Sequence, residues 1–198
     1  MEAIATYRHK DGSEKVDIWV DECAWDMDPL ECETEWLKFL TVENHNYTWG
    51  TEQVSAEELT ERCESADLVL PVYAYVHSGT WFSLGQQYPF NCQWDAGQCG
   101  AIVLDRKTFE KEIGRKLEEA AHEICAQVLS NYSDWCNGAV YGFTRYTEVK
   151  CDLGHMHKDE ADACGGFIGD LYDSGLLENA GITNGKPREL HPDWEEVS

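Results

Sequence analysis

Thirty-eight acidic side chains stand against fifteen basic ones in this 198-residue chain, a formal charge of -23 at neutral pH with histidine uncharged. A chain this negative repels itself when compact. Its fold must therefore turn carboxylates outward and bury enough apolar surface to offset the repulsion. The apolar material is present: 42% of residues are hydrophobic and 12% aromatic, with eight Trp and nine Tyr. An acidic disordered tail is poor in aromatics, so this sequence reads as a folded one. Its length is ample for a sizeable core and fits one compact domain overall.

The sign of the charge excludes whole classes of function. Phosphate and anionic lipid are repelled, which argues against direct binding of DNA, RNA or a membrane surface and points to cationic partners. No apolar run reaches the roughly 18 to 20 residues of a spanning helix, and Met1-Glu2-Ala3 lacks the basic and apolar regions of a secretory signal. A cytoplasmic protein is expected. The nine cysteines, Cys23, Cys32, Cys63, Cys92, Cys99, Cys125, Cys136, Cys151 and Cys164, are dispersed, odd in number and without a CxxC pair. They read as reduced thiols, several of them small core residues.

The charge is unevenly spread. Residues 1–65 carry 17 acids and 5 bases, residues 66–150 carry 10 and 7, and residues 151–198 carry 11 and 3. This suggests an acidic N-terminal hairpin and extension over 1–65, an α+β core over 66–180 and an irregular acidic tail over 181–198. Ile4–His9 and Lys15–Val20 flank an Asp-Gly pair, the chemistry of a hairpin turn. Leu37–Val42 reads as a strand. Ser55-Ala56-Glu57-Glu58 has the form of a capping box opening a helix to about Cys63. Leu68–Val76 and Ala101–Leu104 read as buried strands joined by a long loop in which Gly79, Gly97 and Gly100 permit turns. Asp105 can cap a helix interrupted at Gly114. From Leu117, the residues Ala120, Ala121, Ile124, Val128 and Leu129 repeat at helical spacing and leave Glu118, Glu119 and Glu123 outward. Gly138–Val149 and Gly166–Ile168 read as strands with the acidic His/Lys segment as their loop. The expected class is α+β: a mostly antiparallel sheet, one long helix packed on it and the acidic N-terminal extension.

Three constellations carry candidate chemistry. Cys151, His155, His157 and Cys164 offer four zinc-type ligands within fourteen residues, although their spacing is not a usual structural-zinc pattern. Core cysteines and surface histidines are the plainer reading, so no cofactor is expected, with zinc as the alternative. His77, Ser78, Cys92 and Asp95 invite a Cys/His or metal-dependent hydrolase centred on His77 and Asp95. Ser78 lacks the Gly-x-Ser-x-Gly elbow, and no base stands beside Cys92 in sequence. P-loop, GxGxxG, HExxH and EF-hand patterns are absent, and the chain is read as a binding protein rather than an enzyme. The third constellation is the acidic surface. Duplex DNA presents about one negative charge per 1.7 Å of axis, and rows of carboxylates on a folded scaffold can compete for the same basic groove. The densest stretch holds Asp21, Glu22, Asp26, Asp28, Glu31, Glu33 and Glu35 with no base, and Trp25 and Trp36 could anchor an interface there. The helix acids Glu118, Glu119 and Glu123 come second.

Leu70-Pro71-Val72-Tyr73-Ala74-Tyr75-Val76-His77-Ser78-Gly79, then Asn91-Cys92-Gln93-Trp94-Asp95-Ala96-Gly97-Gln98-Cys99-Gly100-Ala101-Ile102, Gly138-Ala139-Val140-Tyr141-Gly142-Phe143 and Cys164-Gly165-Gly166-Phe167-Ile168-Gly169 form a further pattern. It resembles a family of uncharacterised accessory proteins of phages and mobile elements, with the motifs LPLYLYDHSG, PWDSGQVGFIY, GDVYGF and CWGFYG. The likeness covers about residues 68 to 170, and its most specific run is Trp94-Asp95-Ala96-Gly97-Gln98. Val76, Ala96 and Cys99 depart from it, replacing an acidic residue, a Ser and an apolar residue. The resemblance implies a setting of conflict between a mobile element and its bacterial host. In that setting the expectation is an acidic inhibitor of a host defence nuclease complex, anti-CRISPR or antirestriction in type. It would act in the host cytoplasm as a nucleic-acid mimic on a basic CRISPR effector or restriction complex. A homodimer is compatible with this reading, and an acidic adaptor for one basic protein is its alternative.

Overall fold

The structure, a computed structural model, describes residues 2–31, 35–43, 46–85, 94–186 and 188–197. In chain order its elements are β1 (Ala5–His9), β2 (Glu14–Val20), β3 (Lys38–Val42), β4 (Glu52–Val54), α1 (Ala56–Ser65), β5 (Leu68–Val76), β6 (Thr80–Leu84), β7 (Ala96–Leu104), α2 (Arg106–Ile113), α3 (Leu117–Cys136), β8 (Val140–Lys150), β9 (Met156–Ile168), α4 (Leu176–Asn179) and β10 (Trp194–Val197). The fold class is α+β, as expected. The strands form two five-stranded sheets. The chain divides into two units, Met1–Met27 with Gly138–Ser198, and Asp28–Asn137. These boundaries differ from the three consecutive segments suggested by charge, because strand pairing joins the two ends of the chain.

In the first unit the strand order is β10-β1-β2-β8-β9, all antiparallel. The β1–β2 turn forms as expected: Gly12 takes φ 77°, and Asp11 accepts from the Ser13 amide at 2.8 Å and its hydroxyl at 2.5 Å. Those hydrogen bonds hold the Asp11 carboxyl down at about 2. Alternation along β2 sends Val16 and Ile18 inward, where they meet Tyr7, Phe143, Leu176, Leu177, Ile182 and Trp194. Two expectations are corrected here. The segment after Gly181 is not wholly irregular, since β10 pairs with β1 and Trp194 is buried. The acidic His/Lys segment is not a loop but the first half of β9, paired with β8 from Lys150↔Met156 onward.

In the second unit the order is β4-β3-β7-β5-β6, in which β3 and β4 pair parallel and the other described pairs are antiparallel. Ser55 caps α1 by accepting from the Glu58 amide at 3.1 Å. Asp105 caps α2 through Thr108, and Gly114 ends that helix at φ 72°. Of the stripe read from the sequence, Leu117, Ala120, Ala121 and Leu129 of α3 are buried, Ile124 and Val128 are partly buried against the same core, and Cys125, which the reading did not include, is buried with them. They pack with Phe39, Phe82, Ile102, Leu104 and Phe109. The expected long loop between β5 and β7 contains β6, which pairs with β5 on one side. On its other side the α3 side chains take over. Asn137 accepts from the Thr80 amide and donates to its carbonyl, both at 2.7 Å, and Ser133 Oγ accepts from the Phe82 amide at 2.9 Å. Among the described residues, no helix is long and apolar enough to cross a membrane.

Candidate functional site

The described residues of the acidic stretch 21–35 are divided between the two units, with 21–27 in the first and Asp28 onward in the second. Asp21 is structural: it accepts from the Cys23 amide at 3.2 Å and, across 145 residues, from the Gly166 amide at 3.1 Å. Asp28 accepts from the Leu30 amide at 2.8 Å, and burial pushes its carboxyl upward. Glu22, Asp26, Glu31 and Glu35 are exposed, and Glu33 lies outside the described residues. Of the two expected anchors, Trp25 is 77% exposed and Trp36 only 6%. Trp36 is corrected to a core residue, set edge-on to Phe109 at 5.4 Å.

The helix acids are also divided. Glu118 meets Arg106 at 2.5 Å, which holds its carboxyl at about 2, and Glu123 meets Arg115 at 3.2 Å. Their charge is locally balanced. Among the described residues Glu119 makes no ion pair, and it is exposed. A better row lies on α1, where Glu57, Glu61 and Glu64 are exposed at i, i+4 and i+7. Among the described residues none of the three is in an ion pair, whereas Glu58 is held by Arg62 at 2.9 Å. Their helical spacing is present in the sequence, in the segment read there as a capping box and its helix. No residue of α1 is buried, so this helix spends its sequence on charge more than on packing.

The four candidate zinc ligands do not come together. Cys151 and His155 flank the β8–β9 turn, the Cys151 amide bonding the His155 carbonyl at 2.9 Å. His157 pairs opposite Val149 while Cys164 pairs opposite Phe143, which separates them by about 20 Å of extended strand. Among the described residues, no three His, Cys, Asp or Glu side chains are placed to hold a metal ion. None of the seven described cysteines is in a disulfide.

The structure does unite His77 and Asp95, with Nδ1 to Oδ2 at 3.3 Å. Among the described residues no nucleophile is joined to them. Ser78, at φ 57°, donates its hydroxyl to the His77 carbonyl at 2.6 Å, and Cys92 lies outside the described residues. The Cys99 thiol donates to the Val72 carbonyl at 3.5 Å, and burial pushes it up to about 12, far from a thiolate at neutral pH. Asp95 and Cys99 instead line a cleft of about 370 Å³, together with Trp94, Gln98 and the Tyr47–Trp49 pair, whose rings stack at 4.3 Å. The cleft's aromatic wall comes from the β3–β4 connection, some fifty residues from Asp95, so local sequence gave no sign of it. Compared with models of known protein families, with curated proteins and with solved structures, this chain matches none.

Proposed function

We propose that this protein is an acidic inhibitor that occupies the nucleic-acid-binding groove of a basic partner. The supporting observation is the carboxylate row of α1. Glu57, Glu61 and Glu64 are exposed, lack ion pairs among the described residues and fall along about 10 Å of helix axis. That is roughly one charge per 5 Å, against about 3.4 Å per phosphate along one DNA strand. The wider field agrees in sign. Residues 28–137 carry 19 acids and 7 bases, and the remaining residues carry 19 and 8. A Lys- or Arg-lined groove is steered toward such a surface. The resemblance of residues 68–170 to mobile-element accessory proteins supplies the target class, a host CRISPR effector or restriction complex.

The test is capture of partners from lysates of bacteria carrying such systems, wild type against the triple variant Glu57→Lys, Glu61→Lys, Glu64→Lys. The proposal expects recovery of a nucleic-acid-binding complex to fall at least about ten-fold with the variant, a loss of more than about 1.4 kcal/mol. Equal recovery by a variant that melts like the wild type would remove α1 from the interface. The matched set Glu22→Lys, Asp26→Lys, Glu31→Lys, Glu35→Lys then decides whether the earlier stretch carries binding instead.

A further inference from the structure

The cleft of the second unit is lined by none of the α1 carboxylates that carry the proposed interface. Its volume of about 370 Å³ falls within the roughly 300–1,000 Å³ of small-ligand sites. Tyr47 and Trp49 stack to form one wall. Trp94 forms another while remaining 93% exposed, an indole that the core does not occupy. Asp95 brings a carboxylate, oriented by His77, and Gln98 brings an amide. Among the described residues no Lys or Arg lines the cleft.

We infer that this cleft binds a guanidinium group. Aromatic faces carry negative quadrupoles and attract cations. A guanidinium is planar and weakly hydrated, stacks on indole, and donates in a fork matched to a carboxylate. The surrounding unit, with 19 acids and 7 bases, raises the local concentration of cations. An anion is repelled by Asp95, and a neutral sugar gains nothing from the field. Gly97 in the cleft lining keeps the floor open: a Cβ there meets no described atom within 4 Å.

The test is isothermal titration of the whole protein with agmatine and with a capped pentapeptide bearing one arginine between glycines. The same peptide with citrulline in place of arginine is the uncharged control. Both cations are expected to bind and the citrulline peptide to bind at least about five-fold more weakly. Equal affinity for agmatine and the arginine peptide identifies a free cation as ligand, and tighter peptide binding identifies a protein-borne arginine. Trp94→Ala and Asp95→Asn should each weaken binding about five-fold or more. Gly97→Leu should abolish it by filling the cleft. Trp94→Ala removes an exposed side chain, so its result does not depend on a folding defect. The inference is overturned if neither cation binds at about 10 mM, if citrulline binds as well as arginine, or if Trp94→Ala and Asp95→Asn both bind like the wild type.

Discussion

A Cβ added at Gly100 would lie 2.0 Å from the Leu40 carbonyl oxygen and 2.9 Å from Thr41 Cα, so β3 approaches β7 there only because the side chain is missing. Both obstacles are backbone and cannot swing aside. Gly100→Ala is therefore expected to cost about 2 kcal/mol or more in thermal unfolding, whereas Gly97→Ala in the same strand should change stability little. A melting temperature for Gly100→Ala equal to wild type would contradict the β3–β7 register. The sequence marked both glycines as special but misread them as turn formers, because close approach of a distant strand leaves no local trace. Asp28 gives a second test at this scale. Burial raises its carboxyl above the ordinary value of 3.8 in the folded state, so the ionised form costs stability at neutral pH. Asp28→Asn, which keeps an acceptor for the Leu30 amide, should raise the melting temperature at pH 7. That gain should disappear as the pH falls through the raised folded value to below the unfolded one. A gain that persisted at pH 2 would rule out ionisation as its cause.

At the scale of elements, those with an internal pattern were legible and those completed by distant partners were not. The β1–β2 hairpin, the Ser55 and Asp105 caps and the buried stripe of α3 follow from residues a few positions apart. β6 does not, because its outer edge is satisfied by Asn137 and Ser133 more than fifty residues away. Covering an edge with helix side chains also protects it from pairing with other chains. Asn137→Ala should cost about 1–3 kcal/mol and speed hydrogen exchange at the Thr80 amide, measurable by NMR. Unchanged exchange there would mean the clamp is not formed. β9 was hidden for another reason. Residues 157–165 are exposed along an edge strand, so alternation of apolar and polar residues is not required of them. β10 was hidden by its brevity, yet Trp194 is buried against His9 and lies 5.7 Å beneath the Arg145 guanidinium. Trp194→Ala should destabilise the first unit by about 3 kcal/mol, read as a lower denaturant midpoint. No change would return the C-terminal segment to the irregular tail suggested by its sequence.

Across the whole molecule, the α+β class was legible because strand-like and helix-like periods both occur, whereas the split into two sheets depends on which strands pair. The candidate sites show the same limit. Charge count fixed the sign of the surface, but its geometry redistributed the roles: Trp36 went to the core, Glu118 and Glu123 to ion pairs, and Asp21 to a backbone tether. The remaining exposed carboxylates, with the α1 row foremost, carry the proposed function. Attraction between such a row and a basic groove must weaken with salt, since the Debye length falls from about 10 Å at 0.1 M to about 3 Å at 1 M. The most direct measurement is capture of the tagged protein's partners from a defence-carrying lysate at low and high salt, followed by challenge of the captured complex with duplex DNA and guide RNA. A salt-sensitive CRISPR or restriction component that nucleic acid displaces is the expected result. A partner held equally at both salts and indifferent to nucleic acid would contradict mimicry and leave an adaptor for one basic protein.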